Sequence, residues 1–201
     1  IEIGGPDNLM TCVQRPTIQS AQSLMTHAQT NLVVVTGGGA VVRAAMQSGK
    51  KCVAAGPGNP PVVVDETADL DQAASGIYFG ASFDNNVICT DEKEVLAVDK
   101  IFDQLMDKIV QRGAVRLRNH QITRLEKLIL TADRAHINRS WVGKCPSEML
   151  KLIDVPFDGD PRLIICEVPF EHPFVQLELL MPVIGFVRCK DVHEAIDLAV
   201  Q

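Results

Sequence analysis

The sequence of 201 residues predicts an α/β fold with parallel strands, because short apolar runs alternate with helix-like segments. Residues 32–35 (LVVV) form a continuous apolar run, which is typical of a strand buried on both faces. A glycine turn at residues 36–39 and a helix-like segment at 40–47 follow, and residues 51–55 read as the next strand. Such a β-α-β order favours parallel pairing with right-handed crossovers.

The remaining elements follow from local periodicity and capping signals. Asp69 is a plausible N-cap for a helix that runs to about Phe83. Ile101, Leu105 and Ile109 recur at a spacing of four, which predicts one buried helix face. Further strands are predicted at residues 9–13, 61–64, 94–99, 162–168 and 183–188, and further helices at 17–27, 100–111, 120–130, 147–153 and after Asp191.

A proline- and glycine-rich segment marks a domain boundary. Residues 56–61 read GPGNPP, and three prolines with two glycines can continue neither a helix nor a central strand. We therefore divide the chain into residues 1–55 and residues 56–201. The chain begins at Ile1 without a Met and stops inside a helix-like stretch, so we expect a piece of a longer protein with a truncated second domain.

Composition argues against several classes of function. The net charge is -6 and the basic residues form no long run, so a nucleic-acid partner is not expected. No apolar run reaches the roughly 18 residues of a membrane helix, so a membrane partner is not expected. The six cysteines form no CxxC pair and the five histidines show no ligand spacing, so we expect no metal site. Scattered cysteines fit a reducing cytoplasm.

Cys89 is the candidate nucleophile. It lies in a short polar turn, residues 85–90 (NNVICT), between a predicted helix and a predicted strand. A thiol nucleophile needs such a position near a cleft surface, where its own backbone N–H can face an oxyanion. The other interpretation, a buried structural cysteine, stays open on this evidence.

Two further segments could bind a nucleotide. Thr36, Gly37 and Gly38 follow an apolar strand and open a helix, where free N–H groups attract a pyrophosphate. A tight strand-to-helix turn explains the same residues, since the full GxGxxG fingerprint is absent. Glu178 precedes the apolar residues 179–183 and could accept ribose hydroxyls, although on sequence alone a solvated strand end is the favoured interpretation.

Together these segments resemble the aldehyde dehydrogenase superfamily, over essentially the whole chain and in the same order. Residues 33–38 resemble the strand and turn that meet the NAD pyrophosphate, and residues 56–61 the segment that crosses to the catalytic domain. Residues 85–90 resemble the loop of the catalytic cysteine, which places Cys89 there. Residues 178–183 resemble the motif whose glutamate holds the nicotinamide ribose, with Leu180 and Met181 where many relatives have Phe and Gly.

The resemblance implies an aldehyde dehydrogenase-like fold: the second half of a Rossmann-type nucleotide-binding domain in residues 1–55, then an α/β catalytic domain in residues 56–201. It implies NAD as the cofactor, an aldehyde substrate and a homo-oligomer of the full-length protein. Part of the nucleotide site and of the oxyanion hole would fall outside the chain, so we expect the 201-residue piece by itself to lack turnover.

One departure from the hydrolytic members concerns Ala54. Those enzymes carry a water-activating glutamate two residues before the glycine-rich segment, and alignment on Gly56 and Pro60 puts Ala54 at that position, with Ala55 beside it. The branch without this glutamate transfers the acyl group to coenzyme A. GPGNPP and NNVICT also resemble that branch, in particular the microcompartment-associated propionaldehyde and acetaldehyde dehydrogenases of ethanolamine or propanediol utilisation. A bacterial cytoplasmic location, inside a microcompartment and with shell association, is a further implication. A hydrolytic enzyme and a fragment without turnover are the alternatives.

Ala54→Glu in the full-length protein is expected to increase release of the free acid when coenzyme A is absent. A carboxylate at that position would act as general base for water, an effect of about 10²–10⁴-fold in favourable geometry. The acid is quantified by mass spectrometry after incubation with aldehyde and NAD⁺. Unchanged acid formation would show that residue 54 does not face the thioester.

Overall fold

The computed structural model describes residues 4–201, which form two compact units. The first unit ends at Pro57 and the second runs from Gly58 to Gln201. No helix among residues 4–201 combines the length and the apolar character that a membrane crossing requires.

The first unit is a two-stranded parallel sheet with two helices. Val33 pairs with Cys52, which confirms the predicted parallel pairing. Thr17 caps the first helix, since its hydroxyl accepts the Ser20 N–H while the Ser20 hydroxyl accepts the Thr17 N–H. The elements are α1 (Ile18–Thr26), β1 (Leu32–Thr36), α2 (Gly39–Met46) and β2 (Lys51–Ala55).

Two predictions for this unit are wrong. Residues 9–13 form no strand, and Leu9 and Met10 are 69% and 91% exposed; within the described residues no strand lies alongside to pair with them. The other error concerns β1, which is not buried on both faces, because Val33 is buried whereas Val34 is 68% exposed. Within this unit α2 packs against both strands and covers one face, so the alternate side chains stay exposed.

The second unit contains a five-stranded sheet in which all neighbouring strands are parallel. The spatial order is β3-β4-β7-β6-β5. The strands are β3 (Pro61–Val64), β4 (Glu94–Val98), β5 (Val115–Leu117), β6 (Ile164–Glu167) and β7 (Val183–Cys189). The helices are α3 (Leu70–Ser82), α4 (Asp99–Gln111), α5 (Asn119–Ile129), α6 (Pro146–Leu152), α7 (Pro173–Gln176) and α8 (Val192–Ala199).

The sheet separates two hydrophobic cores. Along β4, Val95 and Ala97 belong to the core under α3 and α4, whereas Leu96 between them belongs to the core under α5 and α6. This alternation follows from the two-residue period of a strand. Every residue of β4 is buried, as expected for an interior strand of a parallel sheet with helices on both faces.

The predicted helix faces and caps are largely confirmed. Ile101, Leu105 and Ile109 are all buried against the sheet. Asp69 caps α3 by accepting the N–H groups of Asp71 and Gln72, and Asp191 caps α8. Sequence reasoning missed β5 and α7, because three and four residues are too short to display a period.

The parallel arrangement places the segments that precede the strands at one edge of the sheet. Residues 58–60 enter β3, residues 83–93 enter β4, and residues 177–182 enter β7. Since β3, β4 and β7 are neighbours with the same direction, these three segments meet beside their amino ends. That edge contains Cys89 and Glu178.

Gly185→Ala is expected to destabilise the second unit by about 1–3 kcal/mol through overpacking. A Cβ on Gly185 would lie 2.8 Å from Val175 Cγ2 and 3.0 Å from the Phe174 oxygen. Gly76→Ala is the matched control, because its Cβ meets nothing within 4 Å in the middle of α3 and should gain about 0.5–1 kcal/mol. Melting temperatures shift by about 2–4 °C per kcal/mol, and equal shifts for both variants would contradict the packing at Gly185.

Candidate active site

An unusual turn leads from α3 to Cys89. Asp84, Asn85 and Asn86 have successive φ angles of 43°, 52° and 58°, in the left-handed region that Asn and Asp tolerate better than most residues. Their side chains compensate for the strain: the Asn85 amide donates to the Gly143 oxygen at 2.9 Å, and the buried Asn86 amide donates to the Ala81 oxygen at 3.0 Å. The chain therefore reverses sharply just before the predicted nucleophile.

Gly58 touches both Cys89 and Glu178. A Cβ on Gly58 would lie 2.8 Å from the Cys89 oxygen, so only glycine permits this approach. The Gly58 N–H donates to Glu178 Oε1 at 3.4 Å. The structure thus brings these two predicted site residues to the same glycine, although they are far apart in sequence.

Cys89 lies at the tip of a loop that we call the Cys89 loop, residues 86–93. A small internal turn supports it, in which Ile88 N–H donates to Asp91 Oδ2 at 3.2 Å and Asp91 N–H donates to the Ile88 oxygen at 3.1 Å. Among the hydrogen bonds of residues 4–201, none uses the Cys89 N–H. Cys89 itself is half-buried, and its own N–H is available to an oxyanion.

Four of the other five cysteines differ from Cys89 in burial, and Cys52, which is half-buried too, lies within β2. Cys166 and Cys189 are buried in the core, and burial raises the pKa of both thiols, that of Cys189 to about 11. Cys12 and Cys145 are exposed, and Cys145 lies 3.6 Å from the Asn85 amide. A buried thiol of raised pKa is a poor nucleophile at neutral pH, which favours Cys89 over the two core cysteines.

Lys93 is a buried cation beside Cys89 that sequence reasoning missed. The whole residue is only 4% exposed. Its ammonium donates to the backbone oxygen of Asn86 at 2.8 Å and to Asn86 Oδ1 at 2.7 Å. Burial lowers the pKa of Lys93, while the charges of Asp91, Glu178 and Cys89 act in the opposite direction. In the sequence, Lys93 lies within the charged run 91–94, which normally indicates a solvated surface.

A second polar pair, half-buried Asn59 and buried Glu94, connects the glycine-rich segment to β4. The Asn59 amide donates to Glu94 Oε2 and to the Val175 oxygen, both at 2.5 Å, while Asn59 Oδ1 is buried without a partner. Desolvation raises the pKa of Glu94 to about 7. This carboxyl therefore changes its charge near neutral pH at the amino end of the strand that follows Cys89.

The Thr36-Gly37-Gly38 turn lies in the first unit. Gly37 N–H donates to the Ala55 oxygen at 3.1 Å, which joins the turn to the end of β2. Gly38 precedes α2 as its N-cap without a side-chain hydrogen bond, and nothing lies within 4 Å of where its Cβ would be. Open backbone at a helix start suits an anionic group, so these residues fit the pyrophosphate role that the resemblance implies.

A separate cavity of about 1270 Å³ opens at the carboxyl ends of β5, β6 and β7, and none of the predicted site residues lines it. Its charged groups are mostly paired: Arg116 with Glu167, Arg188 with Glu167, and His172 with Glu126. Within residues 4–201 no three His, Cys, Asp or Glu side chains are grouped so that they could hold a metal ion.

Fold and site define the class: an α/β protein with a half-buried cysteine on a loop that enters a central parallel strand. The Aldehyde dehydrogenase family profile matches residues 1–147, and the chain belongs to this family. The predicted aldehyde dehydrogenase-like fold is thereby confirmed.

Similar proteins point to one branch of the family. The acetaldehyde dehydrogenase (acetylating) EutE of Salmonella typhimurium is 44% identical over 100% of this chain and 44% of its own length. A propionaldehyde dehydrogenase from the fucose utilisation microcompartment of Clostridium phytofermentans superposes with a TM-score of 0.93, at 42% identity over 99% of this chain and 46% of that one. The Rhodopseudomonas palustris propionaldehyde dehydrogenase with bound CoA and an acylated cysteine superposes with a TM-score of 0.92, at 42% identity over 99% of this chain and 45% of that one. The chain thus spans less than half the length of these relatives.

Glu94→Gln is expected to change how stability depends on pH. The Glu94 carboxyl has a pKa of about 7 in the folded protein, against an ordinary pKa of 4.5. Between these two pH values the folded protein holds a proton that the unfolded chain has released, so the stability of the wild type falls as the pH rises. The full effect, present above pH 7, amounts to about 3 kcal/mol. Glutamine cannot ionise and still accepts the Asn59 amide, so the variant lacks this slope.

Urea unfolding of both proteins at pH 5 and pH 8 measures the difference. Glu66→Gln, at an exposed position, controls for the loss of one carboxylate. Parallel stability curves for wild type and Glu94→Gln would contradict the assignment.

Proposed function

We propose that the full-length protein is a CoA-acylating aldehyde dehydrogenase, which converts a short-chain aldehyde, NAD⁺ and coenzyme A into an acyl-CoA and NADH. The observation that carries this proposal is the Cys89 loop, with a half-buried thiol and an available N–H held against Gly58. The branch is supported by the names of the relatives, an acetylating acetaldehyde dehydrogenase and a propionaldehyde dehydrogenase.

Cys89 is the nucleophile in this proposal. Its thiolate attacks the aldehyde carbon and gives a thiohemiacetal, whose oxyanion accepts a hydrogen bond from the Cys89 N–H. Loss of a hydride from that carbon converts the thiohemiacetal into a thioester on Cys89. The bound acylated cysteine in the Rhodopseudomonas palustris enzyme is the corresponding species in a relative.

NAD⁺, when bound, supplies the hydride acceptor. Thr36, Gly37 and Gly38 would hold its pyrophosphate through the open backbone at the start of α2. Glu178 would accept hydroxyls of the nicotinamide ribose, and its hydrogen bond from Gly58 N–H orients one of its oxygens. In this assignment residues 1–55 belong to the NAD-binding domain and residues 56–201 to the catalytic domain.

Acyl transfer to coenzyme A completes the cycle. The CoA thiolate attacks the thioester carbonyl, the Cys89 thiolate leaves, and acyl-CoA is released. Ala54 supports this outcome over hydrolysis, because it offers no carboxylate to activate water.

The cellular setting is part of the proposal. We place the protein in the bacterial cytoplasm, inside a microcompartment, as a homo-oligomer associated with the shell. The fucose utilisation microcompartment named for one relative supports this setting.

Cys89→Ala in the full-length protein is expected to lower CoA-dependent NADH formation by about 10³-fold or more, since no other group can form the thioester. NADH is followed with a short aldehyde, with and without CoA, and the acyl product is identified by mass. Cys145→Ala is the matched control, because this exposed thiol borders the same turn. Full activity of Cys89→Ala, or equal wild-type turnover to free acid without CoA, would refute the proposal.

A further inference from the structure

One buried pair closes both ends of the Cys89 loop. Asn86 is the first residue of the loop and Lys93 the last, and the Lys93 ammonium donates twice to Asn86, to its backbone oxygen at 2.8 Å and to Oδ1 at 2.7 Å. Two residues that are seven positions apart in the sequence are thus in direct contact. Cys89 lies between these fixed ends.

The Asn86 side chain makes three hydrogen bonds in this closure. Its amide donates to the Ala81 oxygen in α3 at 3.0 Å and to the Glu92 oxygen at 2.9 Å, while Oδ1 accepts from Lys93. The residue is only 2% exposed. Because a buried amide with three partners has one orientation, the left-handed turn and the end of the loop are fixed relative to α3.

Lys93 also fixes the loop against the glycine-rich segment. Its backbone N–H donates to the Pro60 oxygen at 3.0 Å, two residues after the Gly58 that touches Cys89. The side chain of Lys93 therefore holds the two ends of the Cys89 loop together, and its backbone N–H holds residues 58–60 beside the loop.

A charge at this depth requires an explanation beyond packing. Burial lowers the pKa of Lys93, and the ionisable groups that face it are Asp91, Glu92 and Cys89 in the loop and Glu178 before β7. An apolar side chain of the same length would avoid the desolvation cost. The two acceptors on Asn86 account for the retention of the ammonium.

We propose that Lys93 is a positioning residue for Cys89, acting through Asn86 to hold the thiol and the Cys89 N–H in reacting geometry. The inference rests on the proposed function only in taking Cys89 as the nucleophile. A displacement of about 1 Å at such a loop is enough to lower turnover by about 10²-fold.

Lys93→Met in the full-length protein tests the proposal, with Lys93→Arg as the conservative variant and Lys108→Met as the matched control on α4, where Lys108 pairs with Asp71. We expect Lys93→Met to lower kcat by about 10²-fold with little change in the KM for aldehyde. Lys93→Arg should recover most of kcat, because it retains a charge and donors. Hydrogen exchange should increase at residues 86–92 in Lys93→Met and stay unchanged elsewhere.

A wild-type kcat and wild-type exchange in Lys93→Met would overturn the inference while leaving the proposed function intact. A general loss of stability, with exchange raised throughout and no recovery in Lys93→Arg, would overturn it too, because that pattern is a packing role. If Cys89→Ala stays active, the proposed function fails, and exchange at residues 86–92 still reports on the Asn86–Lys93 pair.

Reductive methylation of the wild-type protein tests the pair without any substitution. Lys93, buried and doubly hydrogen-bonded, should react at least about tenfold more slowly than the exposed Lys100, as read by mass spectrometry of peptides. Equal rates would show that Lys93 is not held as the inference requires.

Discussion

The common direction of the strands in the second unit is the constraint on which the candidate site depends. Because β3, β4 and β7 are parallel neighbours, the segments that enter them end at one edge of the sheet. Gly58, Cys89 and Glu178 come from those three segments and meet there. Some polar backbone groups of these segments pair with backbone, such as Lys93 N–H with the Pro60 oxygen, and side chains satisfy others.

Polar side chains hold these segments in two pairs, in which all members are buried except the half-buried Asn59. Asn86 with Lys93 closes the loop of the nucleophile, and Asn59 with Glu94 anchors the glycine-rich segment to the start of β4. Each pair contains one ionisable group, and burial shifts the pKa of that group in the direction that favours its neutral form. Groups with shifted pKa values gather at functional sites more often than elsewhere, which agrees with the position of Cys89 in the loop that one of these pairs closes.

The same sheet has a quite different opposite edge. At the carboxyl ends of β5, β6 and β7, arginines and glutamates surround a cavity but neutralise each other in ion pairs. Such partly exposed pairs contribute little to stability, about 0–1 kcal/mol each. Arg116 and Arg188 are therefore parts of one paired network in the folded unit.

The sequence by itself determined the order of most elements, the parallel strands, the caps at Asp69 and Asp191, and the resemblance that singles out Cys89, since periodicity, capping and motif order are local properties. It misjudged β1, because burial of a face depends on which elements pack there, and it missed β5 and α7, which are too short to show a period. Only the tertiary structure decided that Gly58 touches Cys89, that Glu178 reaches Gly58, and that Lys93 is buried against Asn86. In the sequence Lys93 belongs to a charged run, and its role follows from contacts between segments that only the assembled sheet brings together.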